Sequence, residues 1–117
     1  MDPTARMQRI DDLLTHVWMV RTFIKHSEEA EDDDELREIQ RVLYDYLLSL
    51  GSTWKAGDAE GYLRQARKKL AKLKTAVADF RELQPEISTH MNFQMAVRSL
   101  ETAVRDVETL LDDERDA

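Results

Sequence analysis

The sequence predicts an all-α fold, an antiparallel up-down-up-down four-helix bundle. Three observations carry this. Among 117 residues Gly (3) and Pro (2) are scarce, so little in the chain breaks helix. Apolar residues recur in alternating steps of three and four through four segments, and no stretch has the period of two of a half-buried strand. The connections between segments are short, which sets successive helices antiparallel. The length suits one domain, residues 1–117, large enough to bury a core without disulfides.

The first helix is predicted over 3–27. Asp2 stands where an N-cap belongs, with Pro3 at the first helical position. Ile10, Leu13, Leu14, Val17, Val20 and Ile24 form its core face. The linker HSEEAEDDD follows, and its last aspartates can cap a second helix over 35–50. That helix carries Leu36, Ile39, Leu43, Tyr46 and Leu50, and Gly51 is expected to stop it. Residues 51–58, GSTWKAGD, read as a loop; a second helix continuing through Trp54 would give three helices instead. Asp58 is a candidate cap for the third helix, over 58–84, with Leu63, Ala66, Leu70, Leu73, Val77 and Phe80 as its seam. Pro85 is expected to end it. Ser88 or Thr89 restarts the chain as a fourth helix over 89–112, on Phe93, Val97, Leu100, Val104, Val107 and Leu111. DDERDA closes the sequence as a polar tail.

The stretch THVWMVRTFIKH, residues 15–26, is apolar around most of the helix. At roughly 100° per residue its apolar arc, from Trp18 to Phe23, spans about 220°, with Met19 beyond it. The second helix is also wide, because Tyr44 and Leu48 lie off its seam. Wide faces on two neighbouring helices point to a second contact surface, most simply a homodimer. Trp18, Met19, Phe23, Tyr44 and Leu48 are the candidate interface, extended by the off-seam Met91 and Met95 as a pliable surface. The bland alternative is that these side chains only lap over the core. Arg21 projects between Ile10 and Leu14, inside the arc. A buried charge needs a partner, so a buried ion pair is expected, with Asp45, Glu101 or Asp106 as the carboxylate; the alternative is that the head snorkels to solvent.

The formal net charge of −7 disfavours nucleic-acid partners, because phosphates would be repelled. One stretch opposes that trend: residues 64–74, RQARKKLAKLK, hold six bases and no acid, whereas residues 28–35, EEAEDDDE, hold seven acids. The bases could grip nucleic acid, with Arg67, Lys68 and Lys69 central, but they lack interleaved aromatics. The simpler reading is charge complementarity with acids of neighbouring helices or of another subunit. Without cysteine there is no disulfide, thiol nucleophile or thiolate metal site, which suits a reducing, cytoplasmic setting. The N-terminus MDPTARMQRIDD has no apolar run, so no signal peptide is expected, and nothing reaches the ~20 apolar residues of a membrane span.

Each histidine has an acid at helical spacing. The end of the first helix lies near the start of the fourth, so His26, Glu29, Glu86 and His90 form a candidate metal cluster. Surface ion pairs are the competing reading. Ser52-Thr53-Trp54-Lys55 fits S-x-x-K, but the S-D-N and K-T-G elements of that chemistry are absent. LREIQRVLYDYLLSLG resembles a helix of cobalamin adenosyltransferases, which are also bundles; the glycine-rich nucleotide-binding segment of that family has no counterpart, so no site carries over. The expected function is therefore a non-enzymatic protein–protein interaction or assembly module without a cofactor. A metal- or ligand-binding bundle at the His26/His90 end, and nucleic-acid binding through the third helix, are the alternatives.

Overall fold

The computed structural model describes residues 1–112. Four long helices, α1 (Pro3–Lys25), α2 (Asp34–Ser49), α4 (Ala59–Ile87) and α5 (Met91–Asp112), form a bundle; a short α3 (Gly51–Ala56) and a 3₁₀ turn (Glu29–Glu31) sit in the connections. No strand occurs among the described residues. Both α1 and α4 pack against α2 and α5, and α1 and α4 meet across the diagonal. At 1.5 Å per residue, the 29 residues of α4 run about 43 Å, which matches the long dimension of the molecule, 43 Å.

Aspartates start three of the four long helices. Asp2 accepts from the Ala5 N–H (2.7 Å), Asp33 from Leu36 (2.8 Å) and Asp58 from Gly61 (2.9 Å). Each such cap satisfies an orphan donor and contributes about 1 kcal/mol. The fourth departs from expectation. Neither Ser88 nor Thr89 caps α5: the His90 carbonyl accepts from Phe93 (3.0 Å), and its Nδ1 accepts from the Asn92 N–H (3.0 Å). Ser88 Oγ instead accepts from the His90 N–H (3.1 Å) and braces the turn.

Two chain breaks also fall elsewhere than predicted. Pro85 does not end α4, which continues to Ile87. A proline in the last turn forfeits one ladder bond only, and the end is clamped twice: Ser88 N–H donates to the Gln84 carbonyl (3.0 Å), and Gln84 Nε2 donates to the Ser88 carbonyl (2.7 Å). Nor is 51–58 a loop throughout. Leu50 keeps a near-helical backbone, so Trp54 N–H still reaches the Leu50 carbonyl (3.1 Å), and α3 forms directly after α2. The stop is Gly57 rather than Gly51. Gly57 has φ 66°, which only glycine adopts without strain, and Asp58 N–H then donates back to the Thr53 carbonyl (2.9 Å).

The core is the predicted seams closed on one another. Ile10, Val17, Ile24, Leu36, Leu43, Leu63, Leu73, Phe80, Leu100, Val107 and Leu111 are fully buried. Ala66, Ala76, Ala96 and Ala103 fill the close approaches between helices. Two tyrosines are buried with their hydroxyls satisfied. Tyr46 donates to the Ala66 carbonyl (3.1 Å), and Tyr62 donates to Asp11 across the α1–α4 diagonal (3.1 Å). Burial pushes the titration of both phenols up, so each remains a donor. Burial also raises the Asp11 carboxyl; the Tyr62 hydrogen bond works the other way, and Asp12 beside it adds to the rise.

Candidate interaction surfaces

Arg21 turns toward α2, not toward α5. Its Nε donates to Gln40 Oε1 (3.0 Å), and its guanidinium lies 4.4 Å from the ring centre of Tyr44 and 5.0 Å from that of Trp18. The side chain is 8% exposed. The expected carboxylate partner is therefore corrected to an amide oxygen and two aromatic faces. The physical reason is the flank: Glu101 and Asp106 lie on α5, on the other side of α1, and Glu101 is held by Arg81 (2.7 and 2.8 Å). Asp45 lines a cleft with Lys69 and Lys72. Guanidinium over aromatic faces is worth roughly 0.5–2 kcal/mol, more where water is excluded. Trp18 and Tyr44, 6.4 Å apart and tilted by 43°, thus clamp a cation besides covering the helix flank.

The remaining candidate interface residues divide between two flanks of α1. Met19 (65% exposed) and Met95 (42%) belong with Phe23 to the α1–α5 side; Leu48 (64%) lies on the Tyr44 side with Trp18 (46%), and Met91 (58%) is exposed at the start of α5. These values mark five large apolar side chains as solvent-facing. Phe23 and Tyr44 are half-buried, and Phe23 meets Phe93 edge-on at 4.9 Å. Between α1 and α5 runs a groove. One stretch, about 310 Å³, is lined by Met19, Val20, Phe23, Asn92, Met95, Ala96 and Ser99. The next, about 460 Å³, shares Met95 and Ser99 and continues along Leu13, His16, Thr102 and Ala103 to Arg98 and Asp106. His16 Nδ1 and Ser99 Oγ join across it at 3.2 Å.

The histidine cluster does not assemble. Among the described residues no group of three or more His, Asp or Glu side chains is placed to hold a metal ion. His26 closes α1, Glu29 sits in the 3₁₀ turn, Glu86 is in the last turn of α4, and His90 spends Nδ1 on the Asn92 N–H. That bond needs an unprotonated Nδ1 and leaves Nε2 as the donor.

The charged blocks resolve in part inside the chain. Lys74 pairs with Glu108, and Arg81 with Glu101, which ties α4 to α5. Arg67 Nε donates to the Leu111 carbonyl (3.3 Å) at the same seam. Arg64, Lys68, Lys69 and Lys72 remain exposed and outside any ion pair among the described residues. At the opposite end of α4 a groove of about 460 Å³ is lined by Glu35, Glu38, Asp79, Glu82 and Glu86 over Ile39 and Leu83.

Sequence reasoning missed Gln40, Arg6 and the Tyr62–Asp11 bond. Arg6 is buried, with Nη2 donating to the Met1 carbonyl (3.3 Å) and Nε without a hydrogen-bond partner among the described residues. A signal for it existed: Arg6 stands eleven residues before Val17, about three helical turns, and so lies on the core line. No helix is long and apolar enough to cross a membrane among the described residues. Compared with known proteins, the chain matches no family model, no curated protein and no solved structure.

Proposed function

We propose that this protein is a non-enzymatic interaction or assembly module whose outer α1 face docks another polypeptide. The observation that supports it is the collection of Met19, Phe23 and Met95 along one groove, with Met91 exposed one turn before Met95 on α5 and Trp18 and Leu48 exposed elsewhere on α1 and α2. Large apolar side chains left in water on one side of a closed bundle mark a surface meant to be covered. The groove lies between two helices, the form that receives an amphipathic helix, and methionines adapt to the side chains of such a segment. A homodimer belongs to the same reading, and its contact is argued separately below. A chain without cysteine suits the cytoplasm, the compartment we propose for it.

The test uses 8-anilinonaphthalene-1-sulfonate as an apolar probe on the folded protein. Enhanced, blue-shifted emission is expected from the native chain. It should be lost in Met19→Glu/Met95→Glu while circular dichroism and the unfolding midpoint stay unchanged. Native protein that leaves the probe dark, or a double variant that binds it equally well, would remove the support for this face.

A further inference from the structure

We infer that the outer face of α4 is a self-complementary contact on which a second copy of this chain docks antiparallel, about a two-fold axis at Thr75. The inference does not rest on the apolar face of α1. Arg64 and Glu86 each stand eleven residues from Thr75, and Lys68 and Glu82 each stand seven. Seven and eleven residues are whole helical turns to within about 20°. Arg64, Lys68, Thr75, Glu82 and Glu86 therefore fall on one line along the helix, and all five are exposed. Lys72, three residues before Thr75, and Asp79, four after, border that line.

From Arg64 to Glu86 every base on this face precedes Thr75 and every acid follows it; Glu60, in the first turn, stands about 60° off the line and beyond the paired span. Turning a second α4 end for end about Thr75 sets Arg64 opposite Glu86 of the second copy and Lys68 opposite Glu82, and brings Lys72, whose mirror position is Ala78, within one residue of Asp79. Symmetry makes each pair occur twice. A parallel pairing would set like charge on like. The middle of the face is Ala71, Thr75 and Ala78, all small and exposed, so two helices can approach with nothing large between them.

Physics within one chain gives no reason for this order. The helix macrodipole favours acids at the N-terminal end and bases at the C-terminal end. Along this face the order is reversed, and the last turn of α4 carries no base. None of the six charged residues enters an ion pair among the described residues. Glu35 and Glu38 of α2 reinforce the acidic end, Glu38 being shared with Arg41; Asp45 lies beside the basic end. A nucleic acid would satisfy the bases only, and the acids of the same face would repel its phosphates. A second copy satisfies both halves. Exposed ion pairs are individually weak and screened by salt, so the dimer is salt-sensitive.

The experiment is sedimentation equilibrium of the full chain with two charge-reversed variants, Lys68→Glu/Lys72→Glu and Asp79→Lys/Glu82→Lys. All four positions are exposed, so the fold is retained and is checked by circular dichroism. At low salt the wild type self-associates, and each variant alone does so at least about tenfold more weakly. An equimolar mixture of the two regains the wild-type strength as a one-to-one heterodimer. In this cysteine-free chain, Thr75→Cys cross-links to its own copy on mild oxidation, whereas Thr15→Cys on α1 does not. A wild type that stays monomeric at low salt, a mixture no tighter than its components, or cross-linking at Thr15 in place of Thr75 overturns the inference. So does low-salt binding of duplex DNA or single-stranded RNA by a monomeric wild type that is lost in Lys68→Glu/Lys72→Glu. A dimer abolished by Met19→Glu and untouched by the α4 variants also overturns it, while leaving the apolar-face reading in place.

Discussion

The outer faces of α1 and α4 are made of opposite materials. On α1 the usual arrangement is partly inverted: Met19 stands in solvent while Arg21, two residues on, is buried between two rings and an amide. On α4 every charge of the outer face points to water, and the order of the charges along the helix carries the information. An apolar surface attracts in proportion to its area and says little about register. A patterned charged surface attracts weakly and specifies register closely. On that physics the two contacts proposed above differ in selectivity, one tolerant and one exacting.

Four substitutions separate the two faces from the bundle beneath them. Phe80→Ala has the largest effect, because Phe80 is fully buried on the inner side of the helix whose outer side carries the charges. A loss of about 3–5 kcal/mol is expected in urea unfolding. Both faces should vanish together; α4-dependent association that outlived cooperative unfolding would show that the charged face works without the bundle.

Arg21→Ala comes next, at about 1–3 kcal/mol, since it removes the Gln40 bond and both ring contacts. Arg21→Lys should fall between, because an ammonium cannot reproduce the planar stack. Thermal unfolding with Trp18 emission as the probe reads both; a loss for Lys smaller than that for Ala supports the stack, and a negligible loss for Ala, or a Lys variant as stable as wild type, would dismiss it.

Met19→Glu should move stability by no more than about 0.5 kcal/mol, as expected for an exposed position, while weakening probe binding at the apolar face. A large loss of stability would instead mean that Met19 is part of the core.

The smallest effect belongs to Asp11→Asn. Burial first, and then Asp12, raise the Asp11 carboxyl in the folded chain, against the pull of the Tyr62 hydrogen bond. The folded state therefore favours the protonated form. This contribution to stability is full below the ordinary carboxylate range and is lost as pH rises through the raised value. Asparagine keeps the acceptor for Tyr62 without the charge. Asp11→Asn should be slightly more stable than wild type at neutral pH, with the difference closing near pH 4 and below in a pH series of melting midpoints.

Much of the bundle was legible because burial leaves a rhythm. Each residue assigned to the four seams is buried or half-buried, including Leu13 and Leu70 at their edges. Tyr62 escaped that reading because it lies off the seam, one residue before Leu63, where the start of α4 also meets Asp11 of α1. The partner of Arg21 was not legible for a related reason. The wheel shows which flank of α1 the arginine takes, but the axial register that brings Gln40 level with it depends on packing between helices. The helix ends failed on local competition. Gly51 and Gly57 carry the same signal, and only the backbone near Leu50 decides which is used. Of the α4 charges, the basic block stood out as a run, whereas Asp79, Glu82 and Glu86 are spaced by turns and become a block only along the folded helix.

The start of α4 has a consequence for how this sequence can drift. A Cβ on Gly61 would lie 2.2 Å from Asp58 Oδ2, so the cap and the glycine occupy one space between them. Alanine at 61 would gain about 1 kcal/mol of helix propensity, and displacing the carboxylate would cost about the same. Changing Asp58 alone loses the cap and keeps the glycine's penalty. The two positions are therefore epistatic: the effect of alanine at 61 depends on whether residue 58 carries the carboxyl that its Cβ would displace.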